Sequence, residues 1–243
     1  MGANILEGKV AIVTGAGRGI GRSIALTLAR SGVRVSLAAR SETQLGAVRA
    51  EIQAFGGDAA SFPTDVSREA DVIALIRDTL RHFGRLDILV NNAAIGVFGP
   101  LVEATADQWD QVMAVNARGP FLMCRQAIPY LKQQERSFII NISSAVGIKG
   151  YPNQALYTAS KHALMGMTKA LAREVHQDGI RVHAVCPGGV DTQLIGNARP
   201  DLDQSVLMQP QEIADIVLFL VTRQGNAVID EIQVRRQVST PWP

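Results

Sequence analysis

The chain has 243 residues, of which 47% are hydrophobic and 19% charged, and its 24 basic and 22 acidic side chains leave a formal charge of +2. That much apolar material builds a core and excludes global disorder, while the near balance of charge argues against a protein that coats nucleic acid. The two cysteines, Cys124 and Cys186, stand far apart with no CxxC spacing, which excludes a disulfide framework and a zinc site and fits reduced thiols in a reducing compartment.

Met1 to Gly8 shows no basic region followed by an apolar stretch, and no apolar run approaches the roughly 20 residues of a bilayer span. The expectation is a cytoplasmic protein with no membrane partner and no metal. Along the chain, Val10 to Val13 reads as a strand, followed by a glycine cluster and by helical periodicity over Ser23 to Arg30. Val33 to Ala38 is a second strand, about Glu42 to Phe55 a helix, and the run near Ala59 to Phe62 a short strand. Asp71 to Phe83 carries Val72, Leu75, Ile76 and Leu80 on one side of a helix. Leu86 to Val90 is a strand, Trp109 to Lys132 a helix and Phe138 to Ile142 a strand. Tyr157 to Val175 is helical, Arg181 to Val185 extended and Glu212 to Thr222 a final helix, with Val228, Ile232 and Val234 suggesting a last strand.

The strands read as continuous Val/Ile/Leu rather than as alternation, the pattern of strands buried on both faces. Strands separated by helices imply right-handed βαβ units, hence an α/β fold, doubly wound, with a parallel sheet flanked by helices on both faces. With no repeat, low-complexity tract or linker, one domain over 1–243 is expected, ending in a tail from about 235 to 243.

Thr14-Gly15-Ala16-Gly17-Arg18-Gly19-Ile20-Gly21 lies between the first strand and the first helix. Its spacing is TGxxxGxG rather than GxGxxG. Glycine suits this place because a Cβ would block the tight turn and hold a phosphate away from the backbone N–H groups at the helix N-terminus. The second strand ends Ala38-Ala39-Arg40-Ser41, with no carboxylate to bond a ribose 2′-hydroxyl and with a cation to accept a 2′-phosphate. Arg18 is a second candidate for that phosphate. NADP(H) is therefore favoured over NAD(H).

Tyr157 and Lys161 stand four residues apart on one helix face. A phenol titrates near about 10, and a neighbouring ammonium stabilises its phenolate, which makes the pair an acid/base for a carbonyl or alcohol oxygen. Asn141-Ile142-Ser143-Ser144 ends the preceding strand at the edge where a parallel sheet places its chemistry. A hydroxyl there donates to a developing alkoxide, and either serine serves on chemical grounds. Asn116 sits mid-helix, where it bonds locally or anchors a water linking Lys161 to solvent.

These motifs, with Asp65-Val66, Asn91-Asn92-Ala93-Ala94 and Pro187-Gly188-Gly189-Val190-Asp191-Thr192, resemble the classical short-chain dehydrogenase/reductase family in order and spacing over nearly the whole chain. The resemblance implies a Rossmann-type sheet, hydride transfer to or from a nicotinamide and a homo-oligomer, tetramer or dimer. It implies that Tyr157 is the proton donor in reduction, that Lys161 bonds the nicotinamide ribose and lowers the Tyr157 pKa, that Ser144 holds the substrate oxygen and that Asn116 completes a proton relay. Gly15, Gly17, Arg18, Gly19 and Ile20 would cradle the cofactor, with Tyr157 and Lys161 also reaching it. Asp65 and Val66 would border the adenine, Asn92 and Ala93 the adenine-side ribose, and Pro187, Gly188, Val190 and Thr192 the nicotinamide and its phosphate.

Two features depart from the family pattern. Ala94 replaces a glycine, which is tolerated if its φ is negative. The family's Asp-Gly-Gly turn after the last strand is absent, and the chain reads Asp230-Glu231-Ile232-Gln233-Val234-Arg235-Arg236 and ends Pro241-Trp242-Pro243. The segments expected to line a substrate pocket, Ile95 to Phe98, Ala145 to Gln154 and Thr192 to Met208, hold Val146, Ile148, Leu194, Ile195 and Leu202 with few charges beyond Arg199. They favour a neutral or acyl carbonyl compound, a ketone, aldehyde or 3-oxoacyl thioester, reduced with NADPH. The competing readings are an NAD-dependent alcohol dehydrogenase running oxidatively and a cofactor-binding regulator without turnover.

Overall fold

The computed structural model describes residues 5–198 and 203–241. The elements are β1 (Val10–Thr14), α1 (Gly19–Arg30), β2 (Arg34–Ala39), α2 (Glu42–Ala54), β3 (Ala59–Pro63), α3 (Glu69–Phe83) and β4 (Ile88–Asn91). They continue with α4 (Ala106–Met113), α5 (Gly119–Leu131), β5 (Ser137–Ile142), α6 (Ala155–Val175), β6 (Ile180–Pro187), α7 (Gln193–Ala198), α8 (Pro210–Thr222) and β7 (Glu231–Val234). The strands form one sheet in the order β3-β2-β1-β4-β5-β6-β7, and every pairing is parallel. The doubly wound expectation holds, with the switch in strand order between β1 and β4.

Alternation along each strand explains why the runs are apolar throughout. Ala11 and Val13 of β1 join one buried cluster with Ile24 and Leu28 of α1 and Ile213 and Val217 of α8. Ile12 between them joins the other cluster, with Val72 and Leu75 of α3 and Leu122 of α5. Successive side chains of a strand point to opposite faces, and both faces here are covered.

The helix expected over Trp109 to Lys132 is α4 and α5 joined by a π-helical turn at Ala114–Arg118. Pro120 has no N–H to give the Asn116 carbonyl four residues earlier, so the α ladder cannot continue through that point. The short α7 lies in the segment from Thr192 to Met208 expected to line a substrate pocket, and Val228 falls outside β7, half exposed at 49%. Arg199 and Leu202 lie outside the described residues.

Candidate active site

A cleft of about 1470 Å³ runs along the carboxyl edge of the sheet, across the switch point. Its floor is the β1–α1 turn. Gly15 and Gly19 have φ of 66° and 54°, a region other residues rarely enter. A Cβ on Gly21 would stand 2.2 Å from the Gly15 carbonyl oxygen, so turn and helix meet with no room for a side chain. Asn92 braces the turn: its Nδ2 donates to the carbonyls of Thr14 (2.9 Å) and Gly15 (3.3 Å). Thr14 Oγ1 accepts from the amides of Asn92 and Ala93 at 2.9 and 3.1 Å. Asn92 and Ala93 line the cleft, but the Asn92 amide is engaged in holding the glycine loop.

At one end lie Arg18, Arg40, Ser41, Asp65 and Val66. Arg22 is paired with Glu51, whereas Arg18 and Arg40 are exposed and in none of the ion pairs among the described residues. Ser41 caps α2 by accepting from the Gln44 amide at 3.3 Å. Partial burial would raise the Asp65 carboxyl, but the hydroxyl and amide of Ser67, with the charges of Arg40 and Arg68, hold it below the ordinary range. A long cleft, a glycine turn closed to any Cβ and two guanidinium groups outside the ion pairs fit a dinucleotide.

The other end holds Ser144, Tyr157 and Lys161, all lining the cleft. Ser144 follows β5 and opens a tight turn. Its Oγ accepts from the Val146 amide and donates to the Pro187 carbonyl, both at 3.3 Å. Ser143 instead has a buried hydroxyl set beside the Cys186 thiol and turned toward Gly147, whose Cβ would stand 2.5 Å from it. Tyr157 enters from the first turn of α6 and is 7% exposed. The Phe98 ring meets it edge-on with centroids 5.7 Å apart. Lys161 is 2% exposed, and its Nζ lies 5.7 Å from the Tyr157 ring centroid and donates to the Ile142 carbonyl at 2.9 Å.

Burial sets both charges. It pushes the Tyr157 phenol up to about 12, opposed by the Ser144 hydroxyl, and pushes the Lys161 ammonium down to about 8. The Lys161 ammonium is aimed at the Ile142 carbonyl rather than at the phenol oxygen.

Asn116 lies within the π turn, fully buried. Its Oδ1 accepts from the Ile95 amide at 2.9 Å, and its Nδ2 donates to the Ile95 carbonyl at 2.8 Å and to Ser160 Oγ at 3.0 Å. Ser160 donates in turn to the Tyr157 carbonyl at 2.7 Å. Both Nδ2 hydrogens are thus taken by protein partners, and Oδ1 accepts one bond of the two it can take. The side chain ties the strand-end loop to the Tyr157 helix.

Pro187, the last residue of β6, and Gly188, Val190 and Thr192 beyond it form the lip of the cleft, and the Thr192 methyl stands 3.2 Å from where a Cβ on Gly19 would be. The positive-φ non-glycine among the described residues is Asn153, so Ala94 keeps a backbone that alanine accepts. Sequence reasoning missed the residues after β7: Arg235, Arg236, Ser239, Thr240 and Pro241 all line the cleft. The signal was present. A seventh parallel strand ends at the same edge as the others, so the chain leaving it arrives at the site.

Among the described residues no group of three or more His, Cys, Asp or Glu side chains converges to hold a metal, and no helix is long and apolar enough to cross a membrane. The family model for short chain dehydrogenases matches residues 9–203. The chain is 40% identical over 230 residues to a 3-oxoacyl-(acyl-carrier-protein) reductase of Synechocystis sp., covering 92% of this chain and 93% of that protein. It is similar to the crystal structure of a metagenomic short-chain oxidoreductase in complex with NADP, with a TM-score of 0.84 and 39% identity over 96% of this chain and 99% of that one. It is also similar to a 3-ketoacyl-(acyl-carrier-protein) reductase from Brucella melitensis complexed with NADH, with a TM-score of 0.87 and 34% identity over 95% and 97% of the two chains.

Proposed function

Because the chain belongs to the short chain dehydrogenase family, and is an oxidoreductase acting on CH–OH and C=O groups, we propose that it is an NADPH-dependent reductase of a ketone, aldehyde or 3-oxoacyl compound. The observation that carries this reading is the convergence of Ser144, Tyr157 and Lys161 on one end of the cleft, with the Lys161 Nζ 5.7 Å from the Tyr157 ring centroid and Arg18 and Arg40 at the other end. A phenol placed there gives its proton to a carbonyl oxygen in reduction, and the cations at the far end, which favour NADPH, set that direction over the oxidative alternative.

The cofactor, when bound, supplies hydride to the carbonyl carbon. Ser144 Oγ holds the carbonyl oxygen, Tyr157 gives that oxygen its proton, and the Lys161 ammonium stabilises the phenolate left behind. Tyr157 and Lys161 also meet the nicotinamide ribose. Asn116 positions the pair through Ser160. Gly15, Gly17, Gly19 and Ile20 cradle the pyrophosphate, Asp65 and Val66 border the adenine, and Asn92 with Ala93 lies beside its ribose. Pro187, Gly188, Val190 and Thr192 flank the nicotinamide. Arg40 and Arg18, with no carboxylate at the β2 tip, favour the 2′-phosphate. The NADP and NADH complexes of the two similar structures support a nicotinamide dinucleotide as the class. The residues act as one domain, in the cytoplasm, assembled as a homo-oligomer.

The test is Tyr157→Phe. A general acid contributes about 100- to 10,000-fold, and kcat for ketone reduction should fall within that range while NADPH affinity, read from nicotinamide fluorescence, is retained. Undiminished turnover would refute the proton-donor role.

A further inference from the structure

β7 lies parallel to β6, so its end at Val234 opens on the ligand edge and delivers residues 235–241 to the cleft. Arg235 shapes this segment: its Nη1 donates to the carbonyls of Arg236, Gln237 and Ser239 at 3.2, 3.1 and 2.8 Å. The Ser239 amide closes the turn on the Arg236 carbonyl at 3.0 Å. The Gly188 amide ties the lip to Val234 at 2.7 Å. Arg236 then lies across the neighbouring glycine. Its Cδ and Nε stand 3.3 and 3.5 Å from where a Cβ on Gly189 would be. Two residues before Gly189, the Pro187 carbonyl accepts from Ser144 Oγ, so Arg236 sits toward the reaction end of the cleft.

Charge accounting leaves Arg236 without a task. The cleft is lined by Arg18, Arg40, Lys149, Lys161, Arg235 and Arg236 against the carboxylates Asp65 and Asp191, an excess of cations in a chain whose formal charge is only +2. Arg18 and Arg40 stand at the phosphate end, Lys161 holds the Ile142 carbonyl, Lys149 lies over the Tyr151 ring at 5.4 Å, and Arg235 is engaged by its own turn. Arg236 is partly buried and in none of the ion pairs among the described residues. A guanidinium fork held in this way matches a carboxylate or phosphate.

Resting on the reductase reading above, we propose that Arg236 is a specificity-determining residue that binds an anionic group carried by the substrate away from its reacting carbonyl, with Arg235 as its positioning residue. The pocket segments between Ile95 and Met208 favour a neutral compound when taken alone; the residues after β7 add the charge.

The test compares straight-chain oxo carboxylates with their methyl esters in the full-length protein. The wild type should prefer a carboxylate over its ester in kcat/KM, and Arg236→Gln should reduce that preference at least about tenfold, since a hydrogen bond to a charged group is the interaction removed. Arg236→Lys, which keeps the charge, should keep part of it. The corresponding hydroxy carboxylate and its ester, titrated calorimetrically into the NADPH complex, should show the same loss of discrimination without turnover. A preference that survives in Arg236→Gln, or that the wild type lacks, overturns the assignment. So does a tenfold loss of NADPH affinity in Arg236→Gln, which would give the guanidinium to the cofactor. Failure of the wild type to reduce any member of either series would overturn the reductase reading instead, while the calorimetric comparison still decides Arg236.

Discussion

Tyr157 and Lys161 are moved in opposite directions by one cause, because burial disfavours whichever form carries charge. The phenol goes up to about 12 and the ammonium down to about 8. Throughout the neutral range Tyr157 keeps its proton, while Lys161 is charged below about pH 8 and neutral above it. Reductive kcat/KM is therefore expected to be level at and below neutral pH and to decline as pH rises through about 8; a profile level to pH ~10 would show that the Lys161 charge is not needed. At the far end of the cleft, Arg40→Ala should weaken NADPH about tenfold, the equivalent of about 1.4 kcal/mol, and NADH far less, as read by fluorescence titration. Equal weakening of both would remove the 2′-phosphate contact. Residue types at these positions were readable from the chain, but their ionisation was not: spacing places an ammonium near a phenol without revealing that it bonds the Ile142 carbonyl.

At the scale of elements, the joint between β1 and β4 carries the switch point, and Asp87 pins it. Its carboxylate is fully buried and accepts from the Val10 amide at 2.9 Å, from Arg85 Nε and Nη2 at 2.8 and 2.6 Å, and from Lys9 at 3.3 Å. Asp87→Ala leaves the Val10 amide and two cations without that partner and should cost about 3 kcal/mol, seen as a lower denaturation midpoint at unchanged m-value. A loss under about 0.5 kcal/mol would mean that the strands hold register without it. The helix pair α4–α5 shows where periodicity misleads. Apolar spacing runs through Asn116 without a break, yet Pro120 denies that residue's carbonyl its α-helical donor and the backbone widens there. Proline at position 120 was the available signal, and it was outweighed by the pattern around it.

For the whole molecule, aromatic side chains remain on the outside of three helices: Trp109 of α4, Phe121 of α5 and Phe219 of α8 are each more than 40% exposed. Covering them against further copies of the chain is the expected outcome, and light scattering should give a mass of two or four chains; a monomer at micromolar concentration would overturn it. The alternation of apolar runs and helical periodicity was enough to determine a parallel doubly wound sheet, because burial on both faces leaves its mark on every strand. The short motifs were enough to locate the glycine turn and to pair Tyr157 with Lys161, because each needs a particular residue type at a local spacing, while the choice of Ser144 over Ser143 came from the family resemblance. What only the tertiary structure decided were contacts between segments far apart in the chain. The Asn116 amide closes on Ile95 and Ser160, Asn92 braces the first turn, and Arg236 comes to rest over Gly189. Such contacts depend on how strand ends converge at one edge of the sheet, and a one-dimensional pattern does not record the distances between them.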